Sequence, residues 1–105
     1  MTKNIKCLIL DDEPLAIDVI ENYLKRLPNI ESFKSNNAVD AFRIMRQEKV
    51  DLIFLDIEMP LMSGLDFLKT MKAPPAIVIT TAYRDYAVEG YEHDALDYLV
   101  KPISF

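Results

Sequence analysis

One cysteine and one histidine are all that the 105 residues hold of those two types. A lone thiol, Cys7, excludes an internal disulfide and a Cys-based zinc site. It sits inside an apolar run, where cysteine behaves as a small buried hydrophobe. Long apolar runs are missing too, so no segment spans a bilayer. The start at residues 3–6 is not followed by a signal-peptide core and cleavage pattern. Nor is there a basic surplus: 17 acidic against 12 basic residues leave a net charge of −5. That argues against unaided binding to nucleic acid or an anionic membrane. Repeats, low-complexity tracts and linkers are absent as well. What is present is 50% hydrophobic, enough for a core in a single domain. A reducing cytoplasm is the expected compartment.

Apolar strands alternate with segments of helical period. Ile5–Leu10, broken only by Lys6, reads as a central strand. Pro14 suits the first turn of a helix in which Ile17, Ile20, Leu24 and Leu27 line one face, ending near Pro28-Asn29. Ile30–Ser35 is a polar edge strand. Asn37 caps a second helix whose inner face is expected to carry Val39, Phe42 and Met45 or Arg46. Residues 51–55 form the second central strand, and 64–71 a short helix with Leu65 and Leu68 inward. Ala76–Thr81 is the third apolar strand, 84–91 a helix weakened by Gly90, and 98–100 a last strand stopped by Lys101-Pro102. This alternation predicts an α/β fold, an open and mostly parallel sheet with helices on its faces.

Such sheets place ligands beyond the carboxyl ends of their strands. Those ends carry Asp11-Asp12-Glu13, Asp56, Thr80-Thr81 and Lys101. Hard oxygen ligands favour Mg²⁺, which binds one or two carboxylates together with a phosphate. A carboxylate fixed beside the metal can attack phosphorus. The transferred phosphoryl then needs positive or donor partners for its oxygens. Lys101 and Thr80 or Thr81 suit those roles.

These residues resemble a known family. Asp11-Asp12 after the first strand, Asp56 followed by Met59-Pro60 and Ser63-Gly64-Leu65, then Thr81-Ala82, and Tyr98 three residues before Lys101-Pro102 are similar to the marks of response-regulator receiver domains of two-component signalling. The resemblance covers essentially the whole chain. It implies a flavodoxin-like, doubly wound five-stranded sheet of order 2-1-3-4-5. It implies Asp56 as phosphoacceptor, with a histidine kinase or phosphotransfer protein as donor. Asp11, Asp12, Asp56 and the Glu58 backbone carbonyl would hold Mg²⁺. Thr81, Lys101 and the Ala82 backbone would meet the phosphoryl oxygens, and Thr81 with Tyr98 would form the switch. It also implies a cis Lys101–Pro102 bond, self-phosphorylation and autodephosphorylation rather than turnover of an external substrate, and a homodimer on activation. The stretch TTAYRDYAVEGYEHDALDYLVKPI looks like the receivers of LytTR-type transcription regulators, whose DNA-binding output lies in a separate domain. Receivers carry a fifth helix after the Lys-Pro turn. The expectation is therefore a receiver over 1–105 that stops after its last strand, with a bare apolar face that associates with a second copy.

Other readings stand beside these. Asp11-Asp12 can simply complement the dipole of the Pro14 helix, Thr80 can be sheet packing, and the Glu58 side chain can be solvated. Tyr83, Tyr86 and Tyr91 suit helix surfaces, His93 a loop, and the methionines the core. A stand-alone receiver acting by protein contact is one alternative function. A haloacid-dehalogenase-like phosphatase is another, but its motif needs a second aspartate where Glu58 stands. A flavodoxin-like cofactor binder wants a Gly-, Ser- or Thr-rich loop where Asp11-Asp12-Glu13 stands.

Overall fold

The computed structural model describes residues 4–59, 61–82 and 97–101; the side chains of Leu65, Tyr98 and Val100 are outside that description. Eight elements follow in order: β1 (Ile5–Leu10), α1 (Pro14–Leu24), β2 (Ile30–Ser35), α2 (Ala38–Gln47), β3 (Leu52–Asp56), α3 (Gly64–Lys69), β4 (Ala76–Thr81) and β5 (Asp97–Val100). The strands form one parallel sheet of order β2-β1-β3-β4-β5. This is the flavodoxin-like order, with β2 at an edge as its polarity implied. The expected helix at 84–91, His93 and the Lys101–Pro102 bond lie outside the described residues.

β1 is buried from both sides, which is why it reads as a continuous apolar run. Leu8 and Leu10 join Ile53, Leu55, Ile77 and Ile79 on the face covered by α2 and α3. Cys7 and Ile9 point the other way, against Ile17, Ile20 and Leu24 of α1. Cys7 is fully buried, and desolvation, helped by the Asp51 charge, pushes its thiol up. It is a core residue without thiolate character.

Local chemistry sets the helix starts. Pro14 occupies the first turn of α1, where its missing N–H leaves no bond unmade. The Asn37 side chain accepts from the Asp40 N–H at 2.8 Å, and Ser63 does the same for Asp66 at 3.1 Å.

Two expected helix faces are corrected, and a third is extended. Leu27 is 49% exposed, because α1 ends at Leu24 and the chain turns through Asn29 at φ 61°; asparagine tolerates that left-handed conformation. In α2 the buried residues are Ala41 and Ile44, with Phe42 and Met45 packed beside them and Val39 79% exposed. Val39 lies in the first turn, on the solvent side of the stripe that meets the sheet. In α3 the largest buried residue is Phe67, its ring 4.7 Å from that of Phe42; Leu68 faces inward as expected.

Candidate functional site

All the chemistry-bearing strand ends meet at the carboxyl edge of the sheet. Asp11 follows β1 directly, and its N–H donates to the Ser35 carbonyl at 3.1 Å, extending the β1–β2 ladder by one rung. Its Oδ1 accepts the Glu13 N–H at 2.9 Å. That turn ends the strand and starts α1 within three residues. Asp56 ends β3 the same way, its Oδ1 accepting the Glu58 N–H at 3.1 Å. Both carboxylates are buried, Asp11 at 1% and Asp56 at 2% exposure.

Gly64 lets the α3 start press against this strand end. Its N–H donates to the Ile57 carbonyl at 2.8 Å. A Cβ at this position would overlap the Asp56 carbonyl oxygen and carbon. The glycine is needed for close approach, and its φ is not in the left-handed region.

From the opposite side comes Lys101, whose N–H donates to the Thr81 carbonyl at 2.7 Å. Its ammonium lies 2.9 Å from Asp11 Oδ2, 2.9 Å from Glu13 Oε1 and 3.6 Å from Asp56 Oδ2. Among these contacts, the one to Glu13 has hydrogen-bond geometry. Among the described residues, neither buried Oδ2 atom has a completed hydrogen bond. One carboxylate oxygen from each of Asp11, Asp12, Glu13 and Asp56 lies within 4.8 Å of the others. An all-oxygen set of this kind suits a hard cation, and it answers why an aspartate is tolerated at a buried strand end.

Desolvation dominates the electrostatics of Asp56. Together with the Asp11 charge and a hydrogen bond to Asp12, it pushes the carboxyl up to about 8, against the pull of Lys101 and the Glu58 N–H. Burial would lower the Lys101 ammonium, but the close contacts with Glu13 and Asp11 and the charges of Asp11 and Asp56 outweigh it and raise it. Two carboxylates a few ångströms apart cannot both ionise cheaply without a cation between them.

The remaining expected residues lie around this centre. Thr81 is fully buried at the end of β4, and Ala82 follows it at the surface. Thr80 is the rung partner of Asp56 and shares its side of the sheet, with a buried Oγ1 that has no hydrogen-bond partner among the described residues. Tyr98 pairs with Ile79 in β5. The Glu58 side chain is exposed. Glu13 is the residue that strand-end reasoning grouped with Asp11 and Asp12 but left out of the site. Its only local signal was a third consecutive acid, and its partner lies 88 residues away.

Comparison with known proteins agrees with this geometry. The family model described as the response regulator receiver domain matches residues 7–105. The sensory transduction protein LytT of Bacillus subtilis is 46% identical over 102 residues, covering 93% of this chain and 42% of that protein. The transcriptional regulatory protein BtsR of Escherichia coli is 40% identical, covering 94% and 43%. The chain thus spans less than half the length of these relatives. Among solved structures, the response regulatory domain of mrkE from Klebsiella pneumoniae has a TM-score of 0.83 at 32% identity, covering 95% of this chain and 85% of that one. The response regulator TrrA from Thermotoga maritima, in complex with Mg(2+)-BeF, has a TM-score of 0.82 at 30% identity, covering 96% and 90%. By family model, by sequence and by fold, the chain belongs to the response-regulator receiver domains, and its likeness is to receivers of the LytTR type.

Proposed function

We propose that this domain is a Mg²⁺-dependent phosphoaspartate switch, with Asp56 as the acceptor. The observation that carries it is the buried Asp56, whose Oδ2 faces both a second buried carboxylate and the Lys101 ammonium. A carboxylate oxygen of Asp56 attacks the phosphorus of a phosphohistidine on a histidine kinase or phosphotransfer protein. The O–P bond forms as the P–N bond breaks, and the imidazole leaves with its electron pair and takes up a proton. Asp11, Asp12 and Asp56, with the Glu58 carbonyl, would hold Mg²⁺, and the oxygen donors grouped within 4.8 Å fit it. When bound, the metal neutralises charge on the carboxylates and on the phosphoryl group. Lys101, the Thr81 hydroxyl and the Ala82 N–H then orient the phosphoryl oxygens.

Phosphoryl contacts need only favour one of two pre-existing states by a few kcal/mol. Thr81 moves toward the phosphoryl group, Tyr98 turns inward, and the altered surface promotes a homodimer. Names of relatives such as LytT and BtsR support a transcriptional output through a DNA-binding domain beyond this chain. The Mg(2+)-BeF complex of TrrA supports the metal. Among the described residues no helix is long and apolar enough to cross a membrane. The test is intact-mass analysis after incubation with acetyl phosphate and Mg²⁺. The wild type should gain one phosphoryl group and Asp56→Asn none; equal labelling of both would overturn the assignment.

A further inference from the structure

Glu13 stands at the N-cap of α1, a position that favours Ser, Thr, Asp or Asn because a short side chain reaches back to the helix N–H groups. Its side chain makes no capping bond. Its backbone is nevertheless fixed, with the N–H on Asp11 Oδ1 at 2.9 Å and the carbonyl accepting from Ala16 and Ile17. The carboxylate instead reaches across the site to Lys101 Nζ at 2.9 Å. The ammonium is thus held between Glu13 and Asp11 Oδ2, each at 2.9 Å, while Asp56 Oδ2 lies farther off at 3.6 Å. The three acids differ in access: Asp11 and Asp56 are buried, whereas the Glu13 side chain is 62% exposed. An ammonium has three donors and no acceptor, so what it bonds to is decided by which oxygens surround it.

We propose that Glu13 is a positioning residue for Lys101: it holds the ammonium toward solvent and away from Asp56, and so sets how readily Lys101 moves onto a phosphoryl group there. A cation shared by Asp11 and Asp56 satisfies Asp11 and releases its hold on Lys101. It does not satisfy the exposed Glu13, which remains the competing partner. Removing the Glu13 charge should therefore draw Lys101 inward, toward the buried Asp11–Asp56 pair, even without metal. The consequence for phosphoryl binding rests on the acceptor role proposed above; the geometric part does not.

The experiment has two arms. In the first, the lysine ε-CH₂ signals of the metal-free, chelator-treated protein are followed by NMR. Glu13→Gln should displace the Lys101 signal and leave the other lysines in place. Glu48→Gln, which removes the 2.9 Å partner of Lys6, should displace Lys6 and leave Lys101 alone. A Lys101 signal unmoved in Glu13→Gln overturns the proposal. In the second arm, beryllofluoride affinity is measured at saturating Mg²⁺. Glu13→Gln should bind ~2–5-fold more tightly, the range expected for an ion pair with one exposed partner. The gain should vanish when the same change is made in a Lys101→Met background. An equal gain in that background means that Glu13 acts by charge alone, which also overturns the proposal. Failure of the wild type to bind beryllofluoride at all would refute the acceptor reading, and the Lys101 signal would still decide the Glu13 contact.

Discussion

Asp11 and Asp56 present the same half of their carboxylates to the same ammonium. Each Oδ1 is tied to the N–H two residues onward, and each Oδ2 faces Lys101, at 2.9 and 3.6 Å. The turns that end two neighbouring strands therefore aim the second oxygens. Aim is set by backbone geometry and does not depend on side-chain freedom, which is what a preorganised acceptor requires.

Burial of that pair makes stability depend on pH. The Asp56 carboxyl is held at about 8 by desolvation and by Asp11, against about 3.9 in an unfolded chain. Between those values the folded state keeps a proton that the unfolded state has released, so stability falls as pH rises through the window. Denaturant melts of the chelator-treated protein should show that fall between roughly pH 5 and 8. Asp56→Asn should flatten it and exceed the wild type at pH 8 by on the order of a few kcal/mol. A wild-type stability that rises over this range would contradict the buried, protonated Asp56.

Metal should reverse the same penalty. On the proposed reading Mg²⁺ binds the ionised carboxylates, so at pH 8 its addition should stabilise the folded state and its removal by chelator should restore the loss. Asp12→Ala deletes one hard oxygen from the cluster and should weaken Mg²⁺ roughly tenfold or more, by analogy with loss of other ligand-shell groups. The circular dichroism spectrum should not change. Calorimetric titration showing equal affinity in both proteins would rule out Asp12 as a ligand.

Gly64 offers a test that is steric, with no charge involved. In Gly64→Ala the new methyl group meets the Asp56 backbone carbonyl, which cannot swing aside as a flexible side chain would. Either α3 withdraws or the end of β3 shifts. The cost should be ~1–3 kcal/mol, as for overpacked core sites, and acetyl phosphate labelling of Asp56 should slow. Unchanged stability together with unchanged labelling would show that the α3 start is not pressed against the strand that ends in Asp56.

Much of this domain could be read along the chain. A strand buried on both faces reads as a continuous apolar run, so Ile5–Leu10 and Ala76–Thr81 were visible as buried strands. Parallel crossovers then bring their carboxyl ends to one edge, so the chain order alone implies that Asp11, Asp56 and Lys101 meet there. The Asn37 cap and Pro14 start are likewise local, because their partners lie within four residues. Tertiary structure decided what depends on distance across the fold. It set the side of α2 that meets the sheet, with Ala41 buried and Val39 out; a three- and four-residue spacing fits more than one stripe on so short a helix. It paired Glu13 with Lys101 across 88 residues and set Gly64 against the Asp56 carbonyl. And it raised Asp56 to about 8, since desolvation and like-charge repulsion exist only once the strands have brought the two carboxylates into one buried place.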